Sequence, residues 1–124
     1  MSKIKNKNLT SEQKNVLYNE GTEPPGSSAL NNEKREGSYH CVNCNTKLFE
    51  STAKFESGTG WPSFFKSLPE VSETKTDLNI GYLRVEYHCK KCGGHHGHVF
   101  DDGPKPTGKR YCNNGVCLVF KPKV

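Results

Sequence analysis

Two short cysteine pairs constrain this chain more than any other feature. Cys41-Val42-Asn43-Cys44 and Cys89-Lys90-Lys91-Cys92 are both Cys-x-x-Cys, and 44 residues lie between them. A two-residue gap lets one tight turn present two thiolates to a single tetrahedral ion, and zinc takes four such sulfurs well. Each pair is followed by a residue that accepts positive φ at low cost, Asn45 after Cys44 and Gly93 after Cys92. The chain can therefore turn back and aim backbone N–H groups at the sulfurs. The separation exceeds that of a zinc finger, so one structural zinc per chain would clip together two distant parts of a domain. Two other uses stand beside this one. A disulfide framework goes with secretion, yet the basic start Met1-Ser2-Lys3-Ile4-Lys5 leads into no apolar stretch. A redox or iron–sulfur role is the other; a thioredoxin-like pair should open a helix in a βαβ unit, a pattern absent here.

A metal clip would matter because the apolar complement is thin. Leu, Ile, Val and Phe number 24 of 124 residues, just under the composition line for disorder, but a net charge of +5 is too modest to keep the chain unfolded. A structural zinc can contribute about 10–16 kcal/mol, against a net stability of about 6–19 kcal/mol for a chain this long. The length suggests one domain, read as 9–124 behind a flexible tail 1–8. No apolar run approaches a membrane span, and no dense basic stripe demands nucleic acid. Neither a membrane nor a nucleic acid is expected as partner, and the expected location is the cytoplasm.

Leu9-Thr10-Ser11-Glu12-Gln13 reads as a helix start, with Thr10 capping and Gln13 returning a bond. The helix should reach about Asn19 and stop before Gly21, which tolerates the left-handed cap. Beyond it the pattern is of short strands. Leu83 to Cys89 alternates most clearly, Tyr39–Cys41, Lys47–Phe49 and His98–Phe100 are weaker candidates, and a last strand region runs from Arg110 to Phe120. The expected fold is mainly β with short N-terminal helical decoration.

Two cysteines remain. Cys117, between Val116 and Leu118, reads as a small buried hydrophobe. Cys112 has Arg110 two residues before it and Asn114 two after, so all three share a face of an extended strand. A nearby guanidinium favours thiolate, the nucleophilic form. His95-His96-Gly97-His98 puts three histidines in four residues, suited to proton transfer near neutrality or to metal ligation. Gly58-Thr59-Gly60-Trp61-Pro62-Ser63-Phe64-Phe65 sets the single Trp in a loop rich in Gly, Pro and Phe, which suggests an apolar recognition surface.

Gly58-Thr59-Gly60-Trp61-Pro62-Ser63-Phe64, His95-His96-Gly97-His98-Val99-Phe100, Asp102-Gly103-Pro104 and Arg110-Tyr111-Cys112-Asn113-Asn114, with the two cysteine pairs and Gly21-Thr22-Glu23, resemble in order and spacing a methionine-R-sulfoxide reductase of the B type. The resemblance spans Leu9 to Phe120. It implies two antiparallel β-sheets with zinc, held by Cys41, Cys44, Cys89 and Cys92, away from the reaction centre. It implies reduction of methionine-R-sulfoxide, free or in oxidised proteins, as repair after oxidative damage. Cys112 would be the nucleophile, passing through a sulfenic acid. His98 would protonate the departing oxygen, and His95 and Asn114 would orient substrate and water. Trp61 would wall the pocket for the substrate methyl, joined in substrate binding by Phe64 and Phe100, with Arg110 and Asp102 in support. No organic cofactor is implied. The electrons would come from thioredoxin or another thiol reductant, and the chain would act as a monomer.

One departure bears on turnover. Many members of the family carry a resolving cysteine immediately before the Gly-Trp-Pro-Ser-Phe segment, where this chain has Thr59. The sulfenic acid must then be cleared by an external thiol or by Cys117. An Asn114-Gly115 hairpin would fold Cys117 back to face Cys112. A continuous strand, which the resemblance favours, would point the two apart. Two other readings of the chain are a zinc-stapled module binding a protein through the Trp61 loop and a basic zinc ribbon contacting nucleic acid.

Overall fold

The computed structural model describes residues 6–19, 21–77 and 84–123. Helix α1, Ser11–Asn19, forms behind the anticipated capping box: Gln13 donates its N–H to Thr10 Oγ1 at 3.1 Å, and Thr10 donates its own to Gln13 Oε1 at 2.8 Å. The far end differs from expectation. Gly21 does not take the left-handed conformation. Its N–H reaches the Asn15 carbonyl at 3.1 Å, and a Cβ there would collide with the Asn15 side chain. Glycine is needed for close approach, not for positive φ. Within the expected tail, Asn6 donates to Asn43 Oδ1 and to the Val42 carbonyl.

Nine described strands follow: β1 Gly37–Cys41, β2 Lys47–Glu50, β3 Lys54–Phe55, β4 Ser63–Phe64, β5 Ser72–Asp77, β6 Arg84–Cys89, β7 His95–Phe100, β8 Arg110–Asn113 and β9 Leu118–Pro122. All pair antiparallel, in a three-stranded sheet β2-β1-β9 and a six-stranded sheet β3-β4-β8-β7-β6-β5. The expected mainly β fold of two antiparallel sheets is therefore present. Leu83, the expected start of β6, lies outside the described residues. No described helix is long and apolar enough to cross a membrane.

The last strand region corrects the sequence reading. Arg110 to Phe120 is neither one continuous strand nor a hairpin. The chain leaves β8, makes a 3-10 turn over Gly115–Cys117, and enters β9 in the other sheet, alongside β1. Cys117 is fully buried in a cluster with Leu9 and with Val16 and Leu17 of α1, a cluster that does not include Cys112. Its thiol is driven up by burial, a setting for a small hydrophobe and not for a resolving thiolate.

The core is aromatic. Phe49 stacks on Phe64 with centroids 4.1 Å apart, and Tyr39, Tyr87 and Tyr111 meet this pair edge-on. Such edge and offset contacts add to the burial of large apolar area. Five rings clamped between two sheets compensate for the small number of aliphatic residues.

Candidate active site and metal centre

Sheet register builds the site. Across the six-stranded sheet, Ser63 of β4 stands opposite Cys112 of β8, Cys112 opposite His98 of β7, and His98 opposite Glu86 of β6. Directly opposed residues project from the same face with Cβ atoms about 4.5–5.5 Å apart. The thiol and the imidazole are thus neighbours by strand pairing, although 13 residues separate them in sequence. Gly97 permits this closeness: a Cβ there would collide with the Cys112 carbonyl.

Over this row lies a cavity of about 250 Å³, lined among others by Trp61, His98, Phe100, Cys112 and Asn114. Those five sequence-predicted residues are brought together. The apolar wall of Trp61 and Phe100, one thiol, one imidazole and one amide make a place for a small, partly apolar group carrying a polar oxygen. Arg110 and Asp102 support this cavity from outside. Arg110 Nε–H donates to Asp102 Oδ1 at 2.8 Å, and the guanidinium lies 4.3 Å from the Phe100 ring centre.

Two predicted residues sit elsewhere. Phe64 is fully buried in the core, stacked on Phe49, and does not line the cavity. The reason is parity: Ser63 faces the Cys112 side, so Phe64, one residue on, must face inward. His95 is also buried, behind His98, with ring centres 5.5 Å apart. Its Nδ1 lies 2.7 Å from Glu86 Oε2, and His88 Nδ1 lies 3.2 Å from the other oxygen. Burial pushes the Glu86 carboxyl up, but the two imidazoles outweigh it and hold it below the usual range.

Burial raises the Cys112 thiol above its ordinary value, while the Arg110 guanidinium and a hydrogen bond with the Thr59 side chain pull it back. Thr59, where many members of the resembled family carry a resolving cysteine, thus sits on the thiol's side of the site. Its hydroxyl also meets Ser57 Oγ at 2.8 Å, which in turn accepts from Ser63 Oγ–H at 2.8 Å. The sign of the Arg110 effect is testable. Removing a cation raises a thiol pKa, so Arg110→Gln should slow iodoacetamide alkylation of Cys112 at pH 8 by about three- to tenfold and move its midpoint to higher pH. An unmoved or lowered midpoint would contradict the assignment.

Sequence reasoning missed Glu23, which is 1% exposed and touches the same site. It comes from a Gly-Thr-Glu-Pro-Pro loop with no periodicity. The signal available was a lone acidic residue in a segment of the family resemblance.

The four paired cysteines converge. Their Sγ atoms all lie within 4.8 Å of one another, with Cys41 to Cys92 at 3.7 Å and Cys44 to Cys89 at 3.4 Å. Ligands at about 2.3 Å around a tetrahedral ion stand about 3.8 Å apart, so the donor set fits one metal ion. No two of the six cysteines are joined as a disulfide in this structure. Asn45 and Gly93 take φ of 65° and 76°, and their N–H groups close matching turns onto the Cys41 and Cys89 carbonyls at 2.8 Å. No histidine joins this group among the described residues. His96 instead touches it from outside, Nε2 being 3.3 Å from Cys41 Sγ, and burial lowers its pKa to about 4. It is the extra residue where the β6–β7 register shifts, which turns its ring inward onto Tyr87.

The pattern of the SelR domain matches residues 9–122. A protein of Pseudomonas putida bearing the name peptide methionine sulfoxide reductase MsrB is 49% identical over 116 residues, 93% of this chain and 87% of its own length. A protein of the same name from Escherichia coli is 50% identical over 115 residues, 92% of this chain and 84% of its own. A third, from Pseudomonas entomophila, is 48% identical over 116 residues, covering 93% and 88%.

Proposed function

The chain belongs to the SelR-domain family, with the peptide methionine sulfoxide reductases as relatives, and from that premise we propose how its site works. The protein is an oxidoreductase that reduces methionine-R-sulfoxide to methionine with electrons from thiols, a repair of oxidative damage. The observation that carries the site assignment is the pairing of Cys112 with His98 under the wall formed by Trp61 and Phe100.

The Cys112 thiolate attacks the sulfoxide sulfur while His98 gives its proton to the oxygen. The S–S bond so formed and the methionine S–O bond then break as the oxygen passes to the Cys112 sulfur, which leaves a sulfenic acid, and methionine departs. The substrate sulfur gains two electrons and the Cys112 sulfur loses two. Trp61 and Phe100 exclude water and hold the methyl group, and Asn114 orients the oxygen. Phe64 contributes by shaping the core beneath the site, and His95, braced by Glu86, sets the position of the His98 strand. With Thr59 against the thiol and Cys117 packed under α1, resolution falls to an external thiol. A first thiol displaces the sulfenic oxygen as water to give a mixed disulfide, and a second frees Cys112. We assign that role to thioredoxin or a comparable dithiol.

The four-cysteine centre would hold zinc as a structural ion; its all-thiolate donor set and closed shell suit zinc in a structural role. No organic cofactor is needed for oxygen transfer between two sulfurs. We further assign one reductase domain to 9–124, a monomeric state, and action in the cytoplasm. A non-catalytic binding module is disfavoured because it would be indifferent to Cys112, and a nucleic-acid role lacks a basic stripe.

Dithiothreitol-driven reduction of each methionine sulfoxide epimer tests this reading. Turnover of the R epimer, free or in a peptide, is expected; its absence in metal-loaded protein would overturn it.

A further inference from the structure

Glu23 lies beside the pocket and has no part in the chemistry above. Four hydrogen bonds converge on it. Its Oε2 accepts from the Gly115 N–H at 2.8 Å and its Oε1 from the Val116 N–H at 3.0 Å. Its own N–H donates to Asn114 Oδ1 at 2.9 Å, and its carbonyl accepts from the Trp61 indole N–H at 3.0 Å. Asn114 then donates Nδ2–H to the His96 carbonyl at 3.1 Å, which ties it to β7.

The choice of a carboxylate follows from the donors. Gly115 and Val116 begin the turn that carries the chain from β8 out of the sheet, and both of their N–H groups point at this side chain. Two N–H donors withdrawn from solvent, one fully and one partly, need two acceptor atoms here. A carboxylate supplies both, whereas an amide supplies one acceptor and turns an NH2 against the other donor. Burial opposes the charge and raises the carboxyl pKa, an effect the two backbone donors offset in part. A buried charge held this way is rigid, and so is everything bonded to its backbone.

Building on the reductase reading, we propose that Glu23 is the positioning residue of the pocket: it joins the apolar wall, Trp61, to the orienting amide, Asn114, and locks the turn that follows the nucleophile. Its charge has a second effect. Cys112 meets Arg110 on its own strand, with Asp102 paired to that guanidinium, His98 across on β7, the Thr59 hydroxyl and Glu23. The Asp102 charge is spent on the Arg110 guanidinium, which leaves Glu23 as the carboxylate that pushes the thiol toward its neutral form.

Trp61 is the only tryptophan, so its signals are unambiguous. In the wild type the single indole N–H should exchange with solvent at least about 100-fold more slowly than free tryptophan. In Glu23→Gln the KM for methionine-R-sulfoxide should rise about tenfold while kcat falls less than about threefold. Trp61 emission should move to longer wavelength, and the midpoint of Cys112 alkylation should move to lower pH. Glu23→Asp keeps the charge but shortens the reach, so KM should rise with the alkylation midpoint unmoved. A folded Glu23→Gln protein with wild-type KM, emission and midpoint would overturn the proposal. If that variant does not fold, an unprotected indole N–H in the wild type, or a wild-type KM in Glu23→Asp, overturns it equally. Exchange, emission and alkylation need no turnover, so they separate failure of this proposal from failure of the reductase reading.

Discussion

Cys112→Ser should lower sulfoxide turnover by about a thousandfold or more, equivalent to at least about 4 kcal/mol of activation free energy, with the fold intact. The hydroxyl of serine is far less acidic than a thiol, so neither Arg110 nor Thr59 can generate a useful anion from it. Oxygen also cannot take up the substrate's oxygen as sulfur does, so the sulfenic acid step is lost along with the nucleophile. The exchange is nearly isosteric at a half-buried position whose thiol faces the cavity and not the core. The melting temperature should therefore move by no more than about 3 °C. Steady-state kinetics with dithiothreitol, read with a calorimetric scan, check both halves. Activity within tenfold of wild type would exclude Cys112 as nucleophile; collapse of the melting transition would show that it holds the fold.

Cys89→Ser should do the reverse, abolishing the folded state instead of slowing a step. Cys41 ends β1 of the small sheet with Cys44 just beyond it, and Cys89 ends β6 of the large one with Cys92 in the turn before β7. A metal bound by all four is therefore a staple between the sheets. Losing one thiolate removes much of a contribution of about 10–16 kcal/mol from a chain whose net stability is about 6–19 kcal/mol. Circular dichroism and metal analysis of the purified variant should show little bound metal and no cooperative unfolding. A metal-free Cys89→Ser protein that unfolds cooperatively and reduces sulfoxide would contradict the structural role. Cys117→Ala gives the contrast: it deletes one buried sulfur and should cost about 1–3 kcal/mol, as a small cavity does, with metal content unchanged.

Much of the molecule is legible in its sequence. The capping box at Thr10 and Gln13, the alternation of β6 and the positive-φ positions after each knuckle are local, and each was where its residues pointed. Other parts were not local. Strand β5, Ser-Glu-Thr-Lys-Thr-Asp, carries no apolar alternation because it lies at a sheet edge; β4 is two residues long and is a strand only because β3 and β8 flank it. The Trp61 segment points Phe64 to the substrate, whereas strand parity sends it to the core.

Spacing along the chain by itself determined that four thiols could share one ion and that Arg110 and Cys112 would share a face. These depend on turns of two residues and on a strand period of two, which neighbouring residues dictate. What the tertiary structure alone decided is which strands meet. That pairing sets His98 against Cys112, sends Cys117 under α1 through a turn no hairpin rule anticipates, and brings Glu23 from a remote loop to hold Trp61 and Asn114. Each of these joins residues far apart in sequence, and such contacts form where two sheets bury their common aromatic core, which no local pattern specifies.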